Sequence, residues 1–414
     1  MSTVLTSQYR YKIEMTYLDT VKNKSTKIRT ECIKSIIIDR NYTDNSMPII
    51  YASLKLDRAL MDDMILNSNH NLIILIIYKY DNLIDFKEEI EVFKDKFIYY
   101  TPDSVNKNNN IDYTDDSSEE HLGNTFREAL FGMISIDMIN RNKRLIEINS
   151  TSISMYDCIK YCLNGFNNVI IEPFHNDENM SRFIMPTQES VNKAIRYLNS
   201  CKVFYNSPYI FFQDFDYTYL VSSNSYQFNK LNETYSSVII KIKDIDDKSA
   251  NDIGQILNNE SKTYEVIVSF SNTILYNNSI MNKSVDKIRG ITSTGSTEVE
   301  LKNKDSYSIN EKTKLVRLNN DNTNMLSNIE AYNNNNSAFL YITKNDLDLD
   351  LFSLNKRISV ENIDRYKEYN GNYMMTRKRE LLLREDDTFI AMTMLNMKLI
   401  GWIIRIGNSL YVLF

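Results

Sequence analysis

Cys158 and Cys162 stand four positions apart, the spacing that places two side chains on one face of a helix and could offer two thiolates to zinc. Zinc needs further ligands, and no second pair at ligand spacing follows. Two small apolar side chains on a buried helix face account for both cysteines better. The three histidines, His70, His121 and His175, have no partner at ligand spacing. His121 follows Asp115, Asp116, Glu119 and Glu120, whose oxygens suit a hard cation. The regular donor spacing of a calcium loop is missing, so the cluster reads as a solvated acidic linker. Asp214 with Asp216, and Glu385 with Asp386 and Asp387, are grouped acids of the kind that hydrolyse glycosides at the right separation. Asp386 and Asp387, just before an alternating segment, suit a turn. There is no Gly-x-Ser-x-Gly elbow, no His-Glu-x-x-His helix and no glycine loop for phosphate. The expectation is a chain without catalytic residues, cofactor or metal, and so not an enzyme.

The elements that would position such groups belong to a long chain. At 414 residues it exceeds a single core, and 43% hydrophobic with 25% charged residues is ordinary for a folded multidomain protein. A net charge of -6 gives no nucleic-acid footprint, and no sequence-specific nucleic acid is expected as a partner. Nine glycines in the whole chain argue against phosphate cradles. Cys32, Cys158, Cys162 and Cys201 are too scattered for a disulfide framework and read as thiols. The first residues lack an export signal, and the longest apolar run, Leu72 to Tyr78, is far shorter than the ~20 residues that span a bilayer. The expectation is a soluble protein made in the cytosol, with no membrane partner.

Tyr9, Tyr11, Ile13, Met15 and Tyr17 alternate with polar neighbours, the period of a half-buried strand. Lys27 to Asp39, Ile49 to Asp57, Leu72 to Tyr80 and Ile90 to Tyr100 add strands, and Arg58 to Leu66 reads as a short helix. Residues 1–101 are therefore expected to form a β-barrel or sandwich, and 102–121 an acidic, Asn-rich linker. Residues 122–222 read as an α/β middle domain. Phe126 to Ile148 reads as strands. Ser154 to Leu163 reads as a helix capped by Ser152 or Ser154, and Pro186 opens a helix with the stripe Val191, Ala194, Ile195 and Leu198. Phe204 to Val221 reads as aromatic strand and turn. Short strand candidates follow at 236–245, 264–276, 297–301, 314–318 and 338–343, so 223–345 is a β-rich domain able to contribute to a second barrel. Residues 346–414 should complete a barrel or an interface. The fold class is α+β, mainly β, with tube-like small barrels and a helix-containing middle region.

Two groups of residues remain without chemistry to perform. The aromatic series around Phe211, Phe212 and Tyr219 has no interleaved basic residues, which argues for a core or a subunit interface over a base-stacking face. The closing segment reads YKEYNGNYMMTRKRELLLREDDTFIAMTMLNMKLI from Tyr366 to Ile400, two alternating strands about a charged turn. Its Tyr369-Asn370-Gly371-Asn372-Tyr373 entry suits a turn, since Asn-Gly tolerates positive φ. Alternation puts Met375, Arg377, Arg379 and Leu381 on one face and Met374, Thr376, Lys378, Glu380 and Leu382 on the other. Charges on both faces suggest an assembly surface, so the candidate interface residues are Phe211, Phe212, Tyr219, Arg377, Arg379, Arg384, Glu385 and Phe389.

Three segments together resemble the central baseplate hub proteins of contractile phage tails, the T-even-type hub family. They are SIIIDRNYTDNSMPIIYASLKL from Ser35 to Leu56, IMPTQESVNKAIRYLNSCKVFYNSPYIFFQDFDYTYL from Ile184 to Leu220, and the closing segment. The resemblance implies tube-like barrels assembled as a homotrimer into a pseudo-sixfold ring in the virion baseplate. It implies partners in the tail tube or tube-initiator protein, the spike or lysin, and other baseplate proteins, with assembly in the host cytoplasm. A motif-poor, β-rich chain suits a scaffold whose surfaces are its function. Two alternatives stay open: another tube-like tail protein, such as a distal tail or tube-initiator protein, and a hub with peptidoglycan hydrolase activity. The hydrolase would need a further domain, for which the strand-like Trp402 to Phe414 leaves no room.

Overall fold

The computed structural model describes residues 9–42, 45–66, 71–81, 89–100, 126–175, 177–205, 209–222, 354 and 371–406, together with the strand backbones of 238–242, 252–257, 263–271, 287–292, 295–300, 315–316, 337–342, 358–361 and 409–413. His70, His121 and the stretch 102–121 lie outside the described residues.

The N-terminal part supplies β1 (Tyr9–Asp19), β2 (Lys24–Ile28), β3 (Ile33–Asn41), β4 (Ile49–Asp57), helix α1 (Arg58–Leu66), β5 (Asn71–Asp81), β6 (Ile90–Tyr100) and β7 (Phe126–Ser135). The β-rich run expected from Lys27 is broken by a single 3-10 turn, Thr30–Cys32, which separates β2 from β3. Alternation in β1 is realised from Tyr11 onward: Tyr11, Ile13, Met15 and Tyr17 are at most 2% exposed, while Arg10, Lys12, Glu14 and Thr16 are half-buried on the other side, and Tyr9 is half-buried like Arg10.

The middle region contains α2 (Ile136–Asn142), β8 (Ile146–Ile153), α3 (Met155–Cys162), β9 (Val169–Ile171), β10 (Met180–Gln188), α4 (Val191–Cys201), β11 (Tyr209–Gln213) and β12 (Thr218–Ser222). Ser154 Oγ accepts from the Asp157 amide and caps α3. Ser190, not Pro186, starts α4: its Oγ accepts from the Lys193 amide, and Pro186 lies within β10. Val191, Ala194, Ile195 and Leu198 are buried as the stripe requires, and they share a core with Met155, Cys158, Ile159 and Cys162. The expected strand over 126–148 is interrupted by α2, which Ser135 caps.

The remaining strands are β13 (Val238–Ile242), β14 (Asp252–Leu257), β15 (Thr263–Ser271), β16 (Lys287–Thr292), β17 (Gly295–Glu300), β18 (Leu315–Val316), β19 (Ser337–Ile342), β20 (Ile358–Glu361), β21 (Gly371–Glu385), β22 (Thr388–Ile406) and β23 (Ser409–Leu413). With four helices against these strands among the described residues, the fold is mainly β and multidomain.

Strand pairing runs β1-β5-β6-β7-β4-β3-β21, then β21–β22 and β22–β1, and so closes an eight-stranded barrel. The N-terminal segment does not close by itself: β7 lies beyond residue 101, and β21 and β22 come from the C-terminal segment. Eight strands leave an interior that side chains fill. Ile13, Met15, Leu54, Leu75, Phe131 and Leu382 fill it here, each at most 1% exposed. A second ring runs β21-β20-β13-β14-β15-β19-β22 and closes on the same hairpin, with β13–β20 its one parallel pair.

Candidate assembly site and its buried charges

The β21–β22 hairpin is long enough to belong to both rings in succession. On the outer edge of β21, Gly371–Tyr373 pair with β20 and Arg377–Leu383 pair with β3. On the outer edge of β22, Phe389 pairs with Tyr11 of β1, and Thr393–Lys398 pair with β19. The change of barrel falls at a register shift between Met375 and Arg377, a β-bulge at Thr376, whose Oγ donates to the Asn396 carbonyl at 3.1 Å. Upstream of the bulge Gly371 to Met375 are all buried, so Gly371, Asn372 and Tyr373 belong to the strand and not to a turn. Downstream, Lys378, Glu380 and Leu382 point inward and Arg377, Arg379 and Leu381 outward. At the far end Asp386 takes φ +55°, the left-handed turn conformation that Asp tolerates.

The inward face after the bulge is charged and buried. Lys378 and Arg40 are direct cross-strand partners, two cations side by side in the barrel interior. Glu380 lies between them, accepting from Arg40 Nη1 at 2.7 Å and pairing with Lys378 Nζ at 3.0 Å. The fourth charge is Asp214, from the turn between β11 and β12, whose two oxygens each accept from Arg40 Nε at 2.9 Å. Side chains of Arg40, Lys378 and Glu380 are 3%, 2% and 1% exposed, so their charges need one another. Burial works against the Arg40 charge, yet Asp214 and Glu380 outweigh it and hold its pKa above the usual range. Burial also opposes ionisation of Glu380, but Arg40 and Lys378 prevail and keep its pKa low. For Lys378, burial wins over Glu380 and the pKa falls.

The middle region meets the first barrel through the same turn. Gln213 N donates to the Ser46 carbonyl at 2.8 Å, and Phe215 packs edge-on against Phe93 at 4.8 Å between ring centroids. Phe215 also carries Arg40 over its ring, at 5.6 Å. A cavity of about 260 Å³ lies at this seam, lined in part by Asp95, Asp137, Arg141 and Asp216.

The residues expected at an interface fall into two places. Phe212 and Tyr219 are cross-strand partners in the β11–β12 hairpin, with Phe211 opposite Leu220. All three are interior, at 8% exposure or less, and Phe212 packs on Tyr42 at 4.6 Å. Phe389 is fully buried in the first barrel. Their side chains fill cores and present no surface. The polar group does sit together on the outer side and tip of the hairpin. Arg377 makes a two-pronged pair with Asp39, with Nε to Oδ1 at 2.8 Å, and Arg379 is half-buried beside it. Arg384 donates to the carbonyls of Asp386 and Glu31, both at 2.7 Å, and Glu385 pairs with Arg10. Beyond β1 on the barrel wall, β5 turns Leu72, Ile74, Ile76 and Tyr78 outward, half-buried.

Sequence spacing missed the buried tetrad because its members are separated by up to 340 positions. The one local signal was a Lys and a Glu at i and i+2 on a face shared with Met374 and Leu382. Cys158 and Cys162 share the buried helix face with no third ligand, and among the described residues no group of His, Cys, Asp and Glu could hold a metal. No described helix is long and apolar enough to cross a membrane.

No family model and no curated protein matches this chain. Similar solved structures include the tail protein from Neisseria meningitidis MC58, with 9% identity, 94% of this chain and 96% of that chain covered, and a TM-score of 0.42. The 43 kDa tail protein of prophage MuSo2 from Shewanella oneidensis has 9% identity, coverage of 95% and 97%, and a TM-score of 0.44. A PdpA–VgrG complex has 11% identity, coverage of 97% and 70%, and a TM-score of 0.38. Two of these three structures are of tail proteins.

Proposed function

We propose that this chain is a non-enzymatic structural protein of a phage-type tail, a baseplate hub that assembles as a homotrimer and joins tail tube, spike and surrounding baseplate. The observation that carries the reading is the pair of closed strand rings on one shared hairpin. Two barrels per chain allow three chains to offer six quasi-equivalent barrels, which is how a trimer could meet a sixfold tube. Closed barrels leave few free edges, so contacts between chains fall to outer walls. The apolar outward side chains of β5, beside Lys12 and Glu14 of β1, and the outer face of β21 at Arg377 and Arg379 are the walls best suited to such contacts.

Native mass measurement on the purified chain, alone and with a spike protein, tests the reading. A trimer is expected. A hexamer favours the distal tail or tube-initiator alternative, and monomers under both conditions sink the ring. Release of fragments from peptidoglycan would replace the non-enzymatic reading with the hydrolase alternative.

A further inference from the structure

We propose that Arg40, Lys378 and Glu380 form a carboxylate socket in the first barrel, and that Asp214 is its tethered occupant, a charge latch that docks the middle region. Without Asp214 the socket holds two cations and one anion in a buried interior; with it, the four charges balance. Arg40 divides its donors accordingly, giving Nη1 to Glu380 and Nε to both oxygens of Asp214. Asp214 is the member that reaches in from outside the barrel, 174 positions from Arg40, and its side chain keeps the largest exposure of the four at 15%.

The turn is built to present this carboxylate. The Asp214 amide donates to the Tyr217 carbonyl at 2.7 Å, and the Phe215 amide donates to Asp214 Oδ1 at 2.9 Å, which fixes the carboxylate facing Arg40. Phe215 then inserts beside it, packed against the barrel core and under the Arg40 guanidinium. Carboxylate and ring enter as two prongs. The apolar prong supplies burial, and the charged prong makes seating specific, since an unfilled socket leaves a cation without its partner.

The test is hydrogen exchange across 209–222 in the full chain carrying Asp214→Ala, in sodium chloride and in sodium acetate at equal ionic strength. In chloride, exchange of this segment should accelerate on the order of tenfold or more, because a buried charge has lost its partner. Acetate, a free carboxylate of the right size, should restore much of the protection. Unchanged exchange in chloride, or acceleration that acetate does not reduce, overturns the proposal. If Asp214→Ala fails to fold in both salts, the paired change Arg40→Met with Asp214→Leu decides. It removes one charge of each sign and leaves the Lys378–Glu380 pair, so protection near that of the unaltered chain supports the latch, and a folded but unprotected or unfolded chain overturns it.

Discussion

Tyr11 and Phe389 face each other across the seam where β1 meets β22, and neither side chain is exposed. They are the cross-strand pair at which the first and last parts of the chain complete the eight-stranded barrel. Closure of this barrel is thus a contact between residues at opposite ends of the sequence, supported by two large rings.

Phe389→Ala should open that seam. Removal of a buried aromatic costs about 3–5 kcal/mol, and Tyr11→Ala should cost a comparable amount. Urea unfolding of both variants and of the double variant should give a less than additive loss, because both side chains belong to one core at the seam and share its packing. Strict additivity would mean that the two rings do not support each other.

Arg377 and Arg379 are neighbours on one outer face but should behave differently. Arg377→Glu sets a carboxylate against Asp39, whose two oxygens the guanidinium now holds, and should lower the stability of the chain itself by about 1–3 kcal/mol. Adding Asp39→Arg should recover most of that loss. Arg379→Gln breaks no ion pair among the described residues and sets no like charge opposite Asp39, its cross-strand partner, so it should leave thermal unfolding nearly unchanged while shifting native mass toward monomers. Unaltered mass in Arg379→Gln would remove this face from the assembly.

Lys398 is buried on β22, and burial lowers its pKa from 10.5 to about 7. The unfolded chain therefore holds a proton that the folded chain has shed across that window. Stability should rise with pH from about 7 to about 10.5 on this account and be least below it, where both states are charged. Lys398→Met should flatten that slope and stabilise the protein at neutral pH by about 1–4 kcal/mol. Denaturant midpoints measured across the window check both, and an unaltered slope would assign the pH dependence elsewhere.

Burial raises the Cys158 thiol to about 11 and the Cys162 thiol to about 12. Both should resist a thiol-specific reagent in the folded protein, while exposed Cys201 reacts first and half-buried Cys32 follows slowly. Timed labelling with peptide mapping checks the order. Early modification of Cys162 would show that the packing of α3 on α4 opens readily.

Local pattern was enough for much of the fold. The alternation from Tyr11 to Tyr17, the stripe from Val191 to Leu198 and the helix over Arg58 to Leu66 all stand where periodicity put them, because burial on one face imposes a repeat that neighbours in sequence reveal. The start of α4 was displaced because Pro186 tolerates the extended φ of β10, and the serine four residues on made the better cap. Sequence alone therefore determined β1, α1, the stripe of α4 and a mainly β chain, but not α2, which interrupts an expected strand.

What tertiary structure decided is where the charged residues of the closing hairpin belong. Alternation alone places Lys378 and Glu380 on a mixed face with Met374, Thr376 and Leu382, which suggests an assembly surface. Lys378 and Glu380 are interior, since Arg40 and Asp214, remote in sequence, supply the counter-charges that make burial tolerable. The bulge at Thr376 and the division of one hairpin between two rings were equally invisible, as pairing partners across a sheet leave no mark in a strand's own period. A period reports how a residue faces relative to its neighbours; only the assembled barrel settles what it faces.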